Sequence, residues 1–200
     1  MPRRKVSGER RVAELALQLG RAAYGESSAA SLTPAQWMAL RFFARANRFS
    51  RTVSAFADFH STTRGTASQT VKSLVQRGFL TRTRCTRDRR SATFNLTDKA
   101  RRQLAADPFE AVVQAATTLS PAQRDRTASG LRLILQSLSV DRERPAPGIC
   151  TLCGHLAGGA GRGFSCQLMC EPLAAAELEQ LCVYCQDCGA GAGGRPGRRG

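Results

Sequence analysis

Apolar residues recur at helical spacing through most of the first 140 positions, with one interruption by short strand-like runs. Val12, Leu15, Ala16, Leu19 and Ala23 return every three to four residues, which predicts a first helix over residues 9–25. Thr33-Pro34-Ala35-Gln36 is a capping box with proline at the first helical position. It opens a second helix through Trp37, Leu40, Phe43 and Ala44 to about Asn47. Thr52 opens a shorter third helix, with Val53, Phe56, Ala57 and Phe59 inward. After a break at His60-Ser61-Thr62, a fourth helix covers about residues 63–77 and stops at Gly78. The pattern then changes. Phe79–Cys85 and Ala92–Leu96 read as two strands joined by the charged turn Thr86–Ser91. Thr97 caps a fifth helix that runs past Leu104, and Pro108 kinks or restarts it. Ser120-Pro121-Ala122-Gln123 is a second capping box. It opens a sixth helix with Leu131, Ile134, Leu135 and Leu138 as its apolar stripe.

A short helix, a turn and a longer helix form a helix-turn-helix, and the hairpin after it makes the unit winged. In that arrangement the longer helix lies in a major groove. Its pattern agrees. Ala67, Val71, Leu74 and Val75 share one face and pack inward, while Thr66, Gln69, Lys72 and Ser73 lie opposite, with Gln76 behind them. Hydroxyls, an amide and a lysine are the groups that base edges and phosphates accept. Arg64 and Ser68 complete the candidate set on this helix. The hairpin tip carries four charges in Arg87–Arg90, and arginine suits the strong negative potential of a narrow minor groove. Asp88 fits there by pairing with a neighbouring arginine and fixing its direction.

Charge supports a polyanion partner. The 30 basic and 15 acidic residues leave a net charge of +15, and the pI is about 10.8. The excess concentrates in residues 41–104, where only Asp58, Asp88 and Asp98 oppose it. The nucleic-acid partner therefore belongs to the helical body.

Residues 33–140 resemble the MarR group of winged-helix transcription regulators. The resemblance rests on the run from Thr63 to Leu74, on Gly78-Phe79-Leu80, and on Asp88-Arg89-Arg90-Ser91 followed by Leu96-Thr97. It implies a homodimer held by the first and last helices, about 9–25 and 120–140. It implies that Arg90 enters the minor groove beside Asp88 and Arg89. It also implies a pseudo-palindromic operator in double-stranded DNA, a repressor's role, and in many relatives a small-molecule effector. The cysteine that senses peroxide in some relatives lies near the first helices, where this chain has none. Cys85 reads as a packed strand residue.

Seven of the eight cysteines fall between Cys150 and Cys188. Cys150-x2-Cys153 puts two thiolates on one tight turn, the spacing that lets both face one metal. Cys166 and Cys182 are the chosen second pair. Cys166 with Cys170, or Cys182 with Cys185, is also stereochemically possible, and Cys170, Cys185 and Cys188 stand in reserve. His155 is an alternative nitrogen ligand. Four thiolates suit zinc or an iron–sulfur cluster equally, so the expected cofactor is one of these two. Residues 171–181 read as one short helix that returns the last cysteines to the first.

The expected fold is mainly α with a two-stranded β-wing. It is a winged helix-turn-helix with flanking dimerisation helices and a small cysteine-rich C-terminal module. The expected divisions are a basic extension at 1–8, the DNA-binding and dimerisation domain at 9–145, the metal-binding module at 146–188 and a disordered Gly/Arg tail at 189–200. Pro145, Pro147 and Gly148 form the linker expected to keep the two cores apart. Charges interrupt the N-terminus before any apolar leader, and no run approaches a membrane span, so a cytoplasmic protein without a membrane partner is expected. A thiol or metal oxidoreductase, or an RNA-binding protein using the Cys-x2-Cys tail, is the competing reading. No phosphate loop, dinucleotide fingerprint or HExxH motif supports an enzyme, and catalytic residues are expected to be absent.

Overall fold

The computed structural model describes residues 7–24, 32–84, 92–140, 148–159, 161 and 163–186. The body contains α1 (Gly8–Ala22), α2 (Pro34–Arg45), α3 (Val53–Phe59), α4 (Arg64–Gln76), β1 (Leu80–Arg84), β2 (Ala92–Leu96), α5 (Asp98–Leu104), α6 (Phe109–Ala116) and α7 (Pro121–Val140). Caps set the helix starts. Thr33, Thr52, Thr63 and Thr97 each accept a hydrogen bond from the backbone N–H three residues on. At α2 the reciprocal bond from Thr33 N–H to Gln36 completes the capping box. Pro108 restarts the chain as a separate α6 rather than kinking one long helix. Among the described residues no helix is long and apolar enough to cross a membrane.

The core lies where α2, α3, α4 and the hairpin meet. Leu40, Phe42, Phe43, Phe56, Val71, Leu74, Leu80 and Phe94 are buried there. The rings of Phe42, Phe43, Phe56 and Phe59 pack edge-on or tilted. β1 and β2 pair antiparallel from Leu80↔Leu96 to Arg84↔Ala92. Arg41 ties the outer helices to this core. It holds Asp107 through two nitrogens at 2.5 and 2.8 Å, donates to the Ala23 carbonyl, and lies over the rings of Tyr24, Trp37 and Phe109.

The tail is a set of short strands: β3 (Gly148–Ile149), β4 (Leu156–Gly159), β5 (Gly163–Cys166), β6 (Glu171–Leu173) and β7 (Leu181–Cys182). β3 pairs antiparallel with β7, and β4, β5 and β6 form a second antiparallel sheet. Gly158 has φ +99, and a Cβ there would stand 2.0 Å from the Gly163 carbonyl oxygen, so the β4–β5 hairpin needs glycine. The expected helix over 171–181 does not form. Glu171–Leu173 joins the sheet as an edge strand, where Pro172 is tolerated, and only one 3-10 turn, Ala175–Glu177, follows. Helix propensity in the Ala-Ala-Ala-Glu-Leu run loses to strand pairing because few residues remain for a helix.

The expected separation of two cores also differs from the structure. Leu181 and Val183 are buried within the body's own core. Asn47 N–H donates to the Leu181 carbonyl at 2.9 Å, and Val183 N–H donates to Ser50 Oγ at 3.1 Å. Ala46 and Leu181 form a parallel bridge. Arg48 donates to the Pro172 carbonyl and lies 3.4 Å from Glu177. Phe49 packs on the small cluster of Cys150, Leu173 and Leu178. A segment this short cannot close a core alone, so it shares the body's.

Candidate nucleic-acid interface and cysteine pocket

α4 buries Ala67, Val71 and Leu74, which turns Arg64, Thr66, Ser68, Gln69 and Lys72 outward, all five exposed. Thr66 Oγ1 lies 2.9 Å from Thr63 Oγ1 beside the cap. Ser73 points elsewhere. It is half-buried and accepts a 3.0 Å hydrogen bond from Gln36 Nε2, so it braces α4 against α2. Arg77 reaches back to Gln36 Oε1 at 2.8 Å and closes the same bracket. The helix is thus held from behind while its polar face is free of the core.

An open groove of about 650 Å³ runs beside this face, between α3, α4 and the hairpin. Ser68, Lys72, Gln76 and Arg82 line it together with Thr52 and Ser54 at the start of α3. Tyr184 of the tail also lines it. Burial, then the charge of Asp58 and of Cys182, hold the Tyr184 phenol above its ordinary pKa, so the ring stays neutral. Arg82 and Tyr184 were missed as site residues. Arg82 lies on the Leu80 face of β1, opposite Phe94, yet is exposed, and nothing local in the sequence places Tyr184 beside α4. Asp88, Arg89 and Arg90 lie outside the described residues.

The cysteines separate into two groups. Cys150, Cys153, Cys166 and Cys182 line one small pocket of about 10 Å³, together with His155, Asn47 and Tyr184. β3–β7 pairing sets Gly148 opposite Cys182, which keeps Cys182 within two residues of the turn that begins at Cys150. Cys150 and Cys153 flank a tight turn closed by Cys153 N–H to the Cys150 carbonyl at 3.1 Å. Burial, then the neighbouring Cys182 sulfur, raise the Cys150 thiol pKa, while the Asn47 amide opposes the rise. The reserve thiols differ. Cys170 is exposed and donates to the Gln167 carbonyl, and Cys185 is buried and donates to the Ile149 carbonyl. Cys188 lies outside the described residues. Among the described residues, no group of three or more His, Cys, Asp or Glu side chains is drawn together closely enough to hold an ion as it stands.

Residues 30–91 match the family model described as the MarR family. No curated protein matches the chain. Solved structures do. The Staphylococcus aureus protein MepR in its DNA-binding conformation superposes with a TM-score of 0.59 at 18% identity, over 66% of this chain and 99% of that one. Sco3205, a MarR family transcriptional regulator from Streptomyces coelicolor in complex with DNA, gives 0.54 at 23% identity, over 68% and 92%. MepR in its DNA complex gives 0.54 at 16%, over 66% and 99%. The mainly helical fold with its β-wing is therefore shared with these structures, and residues 30–91 are similar to the MarR family.

Proposed function

We propose that the chain is a transcription regulator, not an enzyme, that binds a pseudo-palindromic site in double-stranded DNA as a homodimer and acts as a repressor. One observation carries this reading. The polar face of α4, with Arg64, Thr66, Ser68, Gln69 and Lys72, stands exposed on a helix braced from behind by Gln36 and Arg77. A rigid helix with donors aimed outward is what groove readout requires. The similar proteins MepR and Sco3205 are each described in complex with DNA. In sequence Asp88, Arg89 and Arg90 join the two strands of the wing, and the reading assigns Arg90 to the minor groove.

The dimer follows from uncovered apolar surface. Leu15 and Leu19 of α1 and Leu131, Leu133, Ile134 and Leu138 of α7 are exposed in the single chain. Two stripes of that kind call for a second copy to cover them. We assign the input signal to the thiol tail, because it packs into the body core at the connection between α2 and α3. The test is fluorescence anisotropy with a labelled duplex taken from upstream of the protein's own coding sequence. The expected result is binding at least about a thousandfold tighter than to unrelated duplex. Equal affinity for unrelated duplex, or preference for single-stranded RNA, would overturn the proposal.

A further inference from the structure

We propose that Cys150, Cys153, Cys166 and Cys182 bind one zinc ion as a tetrathiolate, and that the ion fixes the tail against the body beside α4. The ligand set is chosen by position in one pocket, and hydrogen-bond polarity supports two of its members. The sulfurs of Cys150 and Cys153 accept N–H groups, from Asn47 Nδ2 at 4.0 Å and from Gln186 N at 3.4 Å. Sulfur that accepts N–H is suited to the thiolate form. Cys170 and Cys185 instead donate S–H to carbonyls, a role only a protonated thiol can fill. The four selected cysteines come from separate places, namely the turn after β3, the end of β5 and β7, yet they line one pocket.

The pocket sets the size of the guest. About 10 Å³ is room for roughly one water-sized body, which suits a single ion. Zinc–sulfur bonds of about 2.3 Å require the sulfurs to close to roughly 3.8 Å from one another in a tetrahedron. The site therefore requires rotation of cysteine side chains that already line the pocket. Four thiols release four protons, and the ion with four thiolates carries a net charge of two minus, which a chain of net charge +15 tolerates. His155 lines the same pocket, but the four thiolates fill the tetrahedral set without it.

The ion would act on the body through the strand that carries Cys182. Its neighbours Leu181 and Val183 are buried in the body core. Asn47 joins the two parts, with its side chain on Cys150 and its backbone N–H on the Leu181 carbonyl. Tyr184 lines both the cysteine pocket and the groove that Ser68 and Lys72 share. Binding and ordering of the tail become one event, and the event reaches the polar face of α4. Only the effect on DNA rests on the proposed function; the metal site stands on the pocket.

The experiment uses the full chain purified with reductant. Elemental analysis should find about one zinc per chain, and cobalt replacement should give the intense visible bands of a tetrahedral thiolate site. Cys150→Ser/Cys153→Ser, Cys166→Ser and Cys182→Ser should each lose the ion, while Cys170→Ser and Cys185→Ser keep it. Failure to bind zinc on addition, iron with acid-labile sulfide in its place, or zinc retained by Cys150→Ser/Cys153→Ser would overturn the site. Removing zinc from the wild-type chain and restoring it avoids any misfolded variant. Removal should change duplex affinity about tenfold, reversibly. Unchanged affinity with zinc removed would overturn the coupling and leave the site. Absence of sequence-preferring DNA binding in both states would instead defeat the proposed function, with the zinc count still deciding the site.

Discussion

Replacing Leu181 with alanine tests whether the tail is part of the body's fold. Leu181 is 7% exposed and sits among the aromatic and aliphatic side chains of the winged domain, although it is more than 80 residues beyond the wing in sequence. Leucine-to-alanine changes in closed cores cost about 2–5 kcal/mol through lost transfer energy and the cavity left behind. Slight exposure and a location at the edge of the core place this one at about 2–4 kcal/mol. The backbone bond from Asn47 N–H to the Leu181 carbonyl survives the change, so the loss comes from packing. Urea unfolding followed by far-ultraviolet circular dichroism is the assay, because among the described residues the α-helices all lie in the body and the tail contributes only strands and 3-10 turns. A chain of this size should also melt roughly 5–15 °C lower. Leu152→Ala, 62% exposed on the same tail, is the control and should stay within about 0.5 kcal/mol of wild type. If Leu181→Ala left the helical transition unmoved, the tail would be an independent appendage and the shared core would be wrong.

Three further outcomes follow from named groups. Lys72→Ala should weaken binding to every duplex and lower the salt slope by about one, whereas Gln69→Ala should relax sequence preference; anisotropy titrations at several salt concentrations separate the two. His60 is surrounded by Phe42, Phe56 and Phe59, its Nε2 is buried without a partner, and burial pushes its pKa down to about 4 despite a backbone hydrogen bond at Met38. The unfolded chain binds the proton first, so its stabilising share is complete above the ordinary value near 6.5 and is lost as pH falls towards 4. With partial exposure discounted, unfolding should cost about 1 kcal/mol less at pH 5 than at pH 7, and His60→Leu should flatten that slope in urea titrations. Leu15→Glu/Leu138→Glu puts charge into both uncovered stripes and should turn a dimer into a monomer in light scattering. A wild-type chain that is monomeric at micromolar concentration would remove the premise.

The body was legible because its signals are local. Threonine caps at Thr33, Thr52, Thr63 and Thr97 mark helix starts, and the spacing of Ala67, Val71 and Leu74 fixes which face of α4 turns out. The four cysteines chosen by spacing line one pocket, which is as far as the spacing could reach. What failed was long-range. Ser73 lies on the polar arc of α4 by angle, but Gln36 of α2 takes it, which no helical wheel shows. The run from Pro172 to Leu181 favours a helix by composition, yet edge pairing in a three-stranded sheet decides it. The linker residues suggested separation, but Leu181 and Val183 have too little of their own module to bury against and enter the larger core. Tyr184 reaches the groove beside α4 only as a consequence of that docking.

Selection of bound duplexes from a random-sequence double-stranded DNA pool tests sequence-specific recognition by the α4 face most directly. The account predicts enrichment of an inverted repeat, with half-sites about one helical turn apart, by the wild-type chain. It predicts that Gln69→Ala enriches a looser version of the same repeat. Recovery of unrelated sequences with no shared motif, from protein that is folded and dimeric, would contradict it.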